Sequence, residues 1–273
     1  MRLSVSNIAW EPAELEAHLI LLKDLGCDGV EIAPSCVWNE PVDIPVEEIK
    51  GLRDMVFSHG LSIPAIHALL YTRPDLYLFG DGSMRRDTVK YLKGLIRLAG
   101  SLSAGVLVYG SPASRRVGER PYAECYALAV DSFRELGKEA SLYDTVFCIE
   151  PLAPSESDFI CSADEGHAFV QDISHPNIGL HLDARAMVDA GEDFGLVFGK
   201  YGNDIKHFHV GDKGLAPPGH TGFDHAEIGA CLSRSAYTGF VSIEMKRGFG
   251  NSMDVVKTAV KYVREKYFPK GES

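Results

Sequence analysis

Two patterns of hydrophobic and polar positions alternate along the chain. Short runs of β-branched and apolar residues, bounded by Gly, Pro, Asn or Asp, predict buried strands, and eight such runs occur. Each run is followed by a longer stretch, and strands that alternate with such stretches are typical of a parallel sheet. The predicted strands are Leu3–Ala9, Gly29–Ala33, Ser62–His67, Gly105–Tyr109, Thr145–Glu150, Ile178–Asp183, Ile205–Val210 and Phe240–Glu244.

The longer stretches carry apolar residues at helical spacing, which predicts amphipathic helices. Pro12 suits the first turn of one of them, and Asp164 with Glu165 places acidic groups where the first turn of another favours them. The predicted helices are Pro12–Leu25, Val46–His59, Met84–Leu102, Tyr122–Ala140, Ala163–Ile173 and Asp254–Lys266.

The number of units decides the expected architecture. Eight βα units share 273 residues without a linker or low-complexity tract between them. This favours an α/β fold of one domain, residues 1–273, built as a single (β/α)₈ TIM barrel. A doubly wound open sheet is the alternative, but it normally has a glycine-rich turn after the first strand, and residues 8–12 contain no glycine.

Composition and charge indicate which binding partners and which cellular compartment to expect. The formal net charge is −11, so the protein repels phosphate backbones and nucleic acid is not expected as a partner. The most apolar stretch, residues 95–109, is interrupted by Arg97 and small polar residues and is shorter than the roughly 20 apolar residues that span a bilayer, so no membrane association is expected. Six scattered cysteines without a C-x-x-C pair are typical of a reducing compartment, which predicts a cytoplasmic protein.

Four predicted strands late in the chain end in potential metal ligands, namely Glu150, Asp183, His209 and Glu244. The residues are about one βα unit apart, and the carboxyl ends of barrel strands meet on one face. A single strand-end carboxylate usually caps a helix or pairs with a basic group. Three carboxylates and one imidazole together predict a site for a divalent cation such as Mn²⁺, Mg²⁺, Co²⁺ or Zn²⁺.

A second polar layer is expected below these ligands. Side chains two residues apart on a strand face the same side, which places Cys148, His181, His207 and Ser242 one layer deeper in the barrel. His181 and His207 could orient the ligands by hydrogen bonding. The layer could equally be the ordinary polar filling of a barrel interior.

Five segments together carry a family resemblance: Ile149–Pro151, His181–Asp183, His207–Asp212, Pro217–Gly219 and Ser242–Glu244. They resemble the xylose-isomerase-like TIM barrels, a superfamily of sugar isomerases and epimerases, and their spacing is most similar to the ketose 3-epimerases of the D-tagatose 3-epimerase group. The resemblance implies one divalent cation per chain, Mn²⁺ in the first place and otherwise Mg²⁺, Co²⁺ or Zn²⁺. It also implies a homo-oligomer, either a dimer or a tetramer.

The same resemblance implies how the reaction is carried out. Glu150 and Glu244 would be acid/base catalysts as well as metal ligands, acting on opposite faces of a small ketose, aldose or sugar derivative. A proton next to a carbonyl is only weakly acidic, and a divalent cation stabilises the resulting enediolate as a Lewis acid. Glu156, six residues after Glu150, matches a position that contacts the substrate near its carbonyl end.

The chain also departs from the ketose 3-epimerases. Ala186 and Leu215 stand where that group has a histidine and an arginine that hold the carbonyl end of the substrate. Arg185 and Lys213, at neighbouring positions, are candidates to bind the substrate oxygens instead.

Three further residues follow early strands. His67, at the end of the third strand, is expected near the sugar or as a core or capping histidine. Trp10 follows the first strand, where its ring could pack against a sugar or against a loop. Glu31 could bind substrate or pair with a buried basic group.

Three other functions use the same fold or the same site. A keto-inositol-type dehydratase shares the enediolate chemistry. An endonuclease IV-like nuclease shares the barrel, but it has a histidine-rich site that Ala186 interrupts, and the acidic charge disfavours DNA. A metal-binding or scaffold protein without catalysis has no need of the two opposed carboxylates of Glu150 and Glu244.

Overall fold

The computed structural model describes residues 1–268 and contains a parallel β-sheet at its centre. Across the sheet, the hydrogen-bonded strands follow the order second, first, eighth, seventh, sixth, fifth, fourth and third. Isolated parallel bridges also join Gly29 to Ser62 and Ile32 to Ile66. The sheet therefore closes on itself, and the predicted single (β/α)₈ TIM barrel is confirmed. The strands are β1 Arg2–Ser6, β2 Gly29–Glu31, β3 Ala65–Ile66, β4 Val106–Tyr109, β5 Val146–Ile149, β6 Ile178–Asp183, β7 Ile205–Val210 and β8 Phe240–Ile243.

Nine α-helices surround the barrel within residues 1–268. Five of them begin with a side-chain cap. For example, the Asp81 carboxylate accepts hydrogen bonds from the amides of Ser83 and Met84, and the Ser162 hydroxyl accepts one from the Glu165 amide. The helices are α1 Leu15–Asp24, α2 Val46–Ser58, α3 Gly82–Leu102, α4 Tyr122–Ala140, α5 Ala163–Ile173, α6 Ala184–Ala190, α7 Phe194–Tyr201, α8 Ala226–Arg234 and α9 Ser252–Tyr267.

Six of the eight strands are shorter than their hydrophobic runs predict, and β3 and β1 show why. β3 has two residues instead of six, and Pro64 just before it cannot donate to a ladder. β1 ends at Ser6, and the chain turns through a 3₁₀ helix in which the Asn7 side chain accepts a hydrogen bond from the Ala33 amide. Side-chain contacts add to the few main-chain hydrogen bonds at these strand ends, such as the one that the His67 amide donates to the Ile32 main-chain oxygen.

Aromatic residues between the barrel and its helices form much of the core. Phe133 of α4 contacts Phe147 of β5 and Phe169 of α5 with ring centroids 5.3 and 5.0 Å apart in edge-to-face geometry. Such pairs add about 0.5–1.5 kcal/mol each beyond the burial of their area. This packing fixes β5, which directly precedes the first predicted ligand, against two helices.

A buried polar network anchors the loop after β7. His225 contacts Asp212 through Nε2 at 2.7 Å and the hydroxyl of Tyr267 through Nδ1 at 2.7 Å. The other carboxylate oxygen of Asp212 accepts hydrogen bonds from the amide and hydroxyl of Thr221. The network links the loop of residues 211–221 to the end of α9 and so gives His225 a structural role.

None of the helices within residues 1–268 combines the length and the apolar composition that crossing a bilayer requires.

Helix α8 packs so closely on α9 that one glycine is required by the contact. A Cβ atom on Gly229 would overlap the main-chain oxygen of Lys266. We expect Gly229→Ala to lower the free energy of unfolding by about 1–3 kcal/mol, measured by urea denaturation. Gly51→Ala in α2 is the control: among the described residues no atom lies within 4 Å of its added Cβ, so helix propensity should raise stability by about 0.5–1 kcal/mol. Equal effects of the two changes would contradict the packing argument.

Candidate metal centre

The four predicted ligands lie at the carboxyl ends of four adjacent strands. Glu150 and Glu244 directly follow β5 and β8, and Asp183 and His209 are paired residues of β6 and β7. Glu150, Asp183 and His209 are buried, and the Glu244 side chain is largely buried. The barrel thus delivers three carboxylates and one imidazole to the same end, as the spacing predicts.

His209 is at the centre of this cluster. Ligand atoms of Asp183, His209 and Glu244 all lie within 4.8 Å of one another, and a second group with the same limit contains Glu150, His181 and His209. His209 Nδ1 is 3.5 Å from Glu244 Oε2. Three of the four predicted ligands are therefore directly assembled, and Glu150 adjoins them through the shared histidine.

The free atoms of the cluster fit a cation. Asp183 Oδ1 accepts hydrogen bonds from the amides of Arg185 and Ala186 at the start of α6, so one oxygen caps the helix. Asp183 Oδ2 and His209 Nδ1 are buried and have no hydrogen-bond partner among residues 1–268. A buried polar atom without a partner is costly, and a divalent cation would satisfy both atoms.

Charge in the cluster is unbalanced. Burial, together with the nearby carboxylates of Asp183 and Glu244, raises the pKa of Glu150 to about 8. Burial also opposes ionisation of Glu244, but His209 and His67 outweigh it and hold the pKa of Glu244 well below its ordinary value. The pKa of His209 is well above its ordinary value against the effect of burial, because Glu31 and Glu244 flank the ring. The raised pKa values of Glu150 and His209 mean that the cation-free cluster favours bound protons at the place where a cation would bind.

Glu31 orients His209. This fully buried carboxylate accepts a hydrogen bond from His209 Nε2, which lies 3.0 Å from both of its oxygens, and it also contacts His207 and Ser242. Because Nε2–H donates to Glu31, Nδ1 is the nitrogen left to face Asp183 and Glu244. From the sequence, Glu31 could either bind substrate or pair with a buried basic group. Its position at the end of β2 was the available signal.

Three further buried histidines contact the predicted ligands or their partners in different ways: His67, His181 and His207. His67 Nδ1 donates to Glu244 Oε1 at 3.0 Å, and its Nε2 lies 2.6 Å from the Ser6 hydroxyl. His67 was expected near the sugar or as a core or capping histidine, and the structure places it against a ligand carboxylate. His207 acts through Glu31, 3.3 Å away. His181 packs edge to face on His209 at 4.2 Å, and neither of its ring nitrogens has a hydrogen-bond partner in the described part of the chain.

Of the four other residues that were predicted to contact substrate, two lie beside the ligand cluster and two lie away from it. Arg185 and Glu156 form an ion pair at 2.8 Å beside the cluster. Lys213 is 81% exposed and lies 3.8 Å from Asp189. Trp10 is 1% exposed, and its ring stacks on His18 of α1. The structure thus brings Arg185 and Glu156 to the ligands and places Lys213 on the surface and Trp10 in the core.

A closed barrel with buried carboxylates and imidazole at the carboxyl ends of its strands defines a class of TIM-barrel protein with a candidate metal centre. The sequence profile of the xylose isomerase-like TIM barrel family matches residues 19–266. The chain belongs to this family.

Relatives within the family include several sugar epimerases. The chain is 32% identical over 241 residues to the D-psicose 3-epimerase of Ruminiclostridium cellulolyticum, covering 86% of this chain and 79% of the relative. The prediction of an enzyme of the isomerase and epimerase class is confirmed at this level. The fold is similar to 3-keto-D-glucoside 4-epimerase YcjR from E. coli (TM-score 0.82, 17% identity, 97% and 99% of the two chains). It is also similar to the IOLI protein with a bound zinc atom (TM-score 0.81, 18% identity, 100% of both chains).

Room for the Glu150 carboxylate depends on Gly110, directly after β4. A Cβ atom on Gly110 would overlap Glu150 Oε2. We expect Gly110→Ala to turn this carboxylate away and to weaken Mn²⁺ binding by about 10–100-fold, measured by calorimetric titration, while the circular dichroism spectrum is retained. Gly105→Ala, before the same strand, is the control, because no atom of the described residues lies within 4 Å of its added Cβ. Unchanged affinity in Gly110→Ala would contradict the placement of Glu150.

The raised pKa of Glu150 predicts how stability depends on pH. Between pH 7 and 9 the unfolded chain has already lost this proton, whereas the folded chain releases it near pH 8. Stability of the cation-free protein should therefore fall as pH rises, by about 1 kcal/mol from this group. Urea denaturation with a chelator at both pH values measures the change, and Glu150→Gln should remove that part of it. An identical pH dependence in wild type and Glu150→Gln would refute the shift.

Proposed function

We propose that the protein is a divalent-metal-dependent epimerase or isomerase of a small ketose, aldose or sugar derivative. Glu150, Asp183, His209 and Glu244 would hold the cation, with Mn²⁺ as the first candidate. The observation that carries this proposal is the pair of glutamates, Glu150 and Glu244, each with a ligand atom within 4.8 Å of one on His209. A cation bound there supplies Lewis-acid stabilisation of negative charge on the substrate oxygens.

The two glutamates differ in a way that suits acid/base chemistry. Environments that push two carboxyl pKa values apart separate the acid from the base. The pKa of Glu244 is lowered, so its carboxylate is ionised and suited to remove the proton next to the carbonyl. In the cation-free protein burial and two neighbouring carboxylates raise the pKa of Glu150, so the two glutamates differ, and Glu150 is assigned the return of the proton on the opposite face. The contact from His67 Nδ1 holds the Glu244 carboxylate in place during this exchange.

The names of the relatives support a keto sugar as substrate. D-Psicose, L-ribulose and fructoselysine 3-epimerases are among the relatives, and all three names describe epimerisation at a carbon next to a ketone. The substrate is proposed to be a small carbohydrate of this type. A dehydratase acting on a keto-inositol would use the same proton removal but would release water and leave an unsaturated product.

We expect Glu244→Gln and Glu150→Gln each to lower kcat by about 10²–10⁴-fold on a ketose panel with Mn²⁺, because each loses a proton-transfer group. Conversion in D₂O with product analysis by NMR is the measurement, since epimerisation introduces one deuterium at the inverted carbon. Glu16→Gln on the exposed face of α1 is the matched control and should retain full activity.

Each alternative gives a different result in this experiment. Near-normal turnover in Glu244→Gln would remove the assigned role of that residue. An unsaturated product would favour the dehydratase. Wild-type protein that binds Mn²⁺ and converts none of the ketoses or aldoses would refute the epimerase proposal and favour a metal-binding protein without catalysis.

A further inference from the structure

A chain of three side chains runs from the first strand to the ligand cluster. The Ser6 hydroxyl lies 2.6 Å from His67 Nε2, and His67 Nδ1 lies 3.0 Å from Glu244 Oε1. Ser6 is 0% exposed and His67 is 2% exposed, whereas the Glu244 side chain is 14% exposed. Ser6 therefore reaches the ligand carboxylate through the imidazole ring.

The main chain holds both members of the inner contact in place. Ser6 is the last residue of β1 and is paired with Glu31 in the register of β1 and β2. His67 directly follows β3, and its amide donates to the main-chain oxygen of Ile32. The ring of His67 also packs edge to face on His209, with centroids 5.5 Å apart. Because the ring is held on these sides, its effect on Glu244 depends on which of its nitrogens carries the proton.

The hydrogen bonds of Ser6 determine where that proton lies. The Ser6 oxygen already accepts a hydrogen bond from the Ile8 amide at 3.3 Å, at the start of the 3₁₀ helix. Among residues 1–268, His67 Nε2 is the one acceptor in contact with the Ser6 hydroxyl. Ser6 therefore donates to Nε2, and the ring proton is on Nδ1, which donates to Glu244. The reverse order would leave the Ser6 proton without an acceptor and would direct the Nδ1 lone pair at a carboxylate.

Other buried serine and histidine side chains in the barrel lack such a contact. Ser4 lies two residues before Ser6 on the same side of β1, and it is also 0% exposed. Its hydroxyl has no hydrogen-bond partner in the described part of the chain. His181 packs against His209, and within residues 1–268 neither of its ring nitrogens has a partner. The contact between Ser6 and His67 is thus a specific arrangement and not a general result of burial.

We propose that Ser6 is a positioning residue for Glu244 and acts through His67. The Ser6 hydroxyl fixes the ring proton on Nδ1, and Nδ1–H holds Glu244 Oε1. The other carboxylate oxygen, Oε2, is then directed at the ligand cluster, 3.5 Å from His209 Nδ1. This inference rests on the proposed function, in which Glu244 removes the proton next to the carbonyl. A base that is held in one direction raises kcat, whereas substrate binding does not depend on it.

The kinetic test compares Ser6→Ala and Ser6→Thr with His67→Asn and His67→Gln, all saturated with Mn²⁺ as checked by calorimetric titration. His67→Asn retains an N–H donor near the position of Nδ1, and His67→Gln retains one near the position of Nε2 instead. Ser4→Ala is the matched control, because it removes an equally buried hydroxyl of the same strand that contacts no polar group of the described residues. Values of kcat and KM are measured on the ketose that the wild type converts.

A second measurement requires no turnover. The position of the ring proton is determined in the cation-free protein by ¹⁵N NMR of the histidine ring nitrogens, and His67→Asn assigns the signals by their loss. In the wild type we expect the proton of His67 on Nδ1. Nε2 should give the signal of a nitrogen that accepts a hydrogen bond, and Ser6→Ala should shift that signal because the donor is lost.

Ser6→Ala should lower kcat by about tenfold with KM nearly unchanged, and Ser6→Thr should restore most of the loss. Ser4→Ala should match the wild type. His67→Gln should lower kcat by about 100-fold, and His67→Asn should lower it less. In the His67→Asn background Ser6→Ala should have no further effect, because no Nε2 is left to accept the hydroxyl proton.

Several results would overturn the proposal. A ring proton on Nε2 in wild-type His67 would reverse the order of the hydrogen bonds. Unchanged kcat in Ser6→Ala, or an equal loss in Ser4→Ala, would remove the specific role of the Ser6 hydroxyl. If Ser6→Ala caused the same loss with and without His67→Asn, Ser6 would act through its cap on the Ile8 amide.

These results are distinct from a failure of the proposed function. Each of them leaves that function intact, because the wild type still converts a ketose. A wild type that binds Mn²⁺ and converts no ketose or aldose would refute the proposed function and, with it, the effect of Ser6 on kcat. The NMR signals would still decide the order of the hydrogen bonds.

Discussion

Burying several carboxylates at one end of a barrel is the constraint on which the site depends. An isolated buried carboxylate is expensive, so each one needs a compensating partner. Glu244 has His67 and His209, Glu31 has His207 and His209, and Asp183 has two amides and Arg185. Asp183 Oδ2 and His209 Nδ1 are buried and have no hydrogen-bond partner among residues 1–268. Buried polar atoms that lack hydrogen bonds in the described structure are suited to bind a cation.

The barrel brings the carboxylates and their partners together through the pairing of its strands more than through local sequence. Parallel strands in register bring residues that are tens of positions apart to one layer, as Asp183 and His209 show. Glycines then clear space around them: Gly110 leaves room for the Glu150 carboxylate, and Gly211 lies against the main chain of Glu244. The chemistry of the site is therefore tied to the packing of the barrel wall, and small changes there should alter ligation without unfolding the protein.

Much of the fold and the candidate ligand set could be predicted from the sequence, because both depend on repeated local patterns. Strand ends at a regular spacing are enough to predict that Glu150, Asp183, His209 and Glu244 share one end of the barrel. Contacts across the barrel leave no such pattern, so the role of Glu31 as the partner of His209 was not evident. The burial of Trp10 against His18 and the pairing of Arg185 with Glu156 depend on loop and helix positions that periodicity does not encode. The length of β3 was overestimated because Pro64 interrupts a run that otherwise has strand composition.

The central claim is that one cation binds among Glu150, Asp183, His209 and Glu244. Anomalous diffraction from crystals soaked in Mn²⁺, collected on both sides of the manganese absorption edge, tests it most directly. A single strong peak within bonding distance of Asp183 Oδ2 and His209 Nδ1, and of carboxylate oxygens of Glu150 and Glu244, is the predicted result. A peak between Glu31, His207 and His209, which form an alternative ligand group deeper in the barrel, or no peak at this end of the barrel, would contradict the claim.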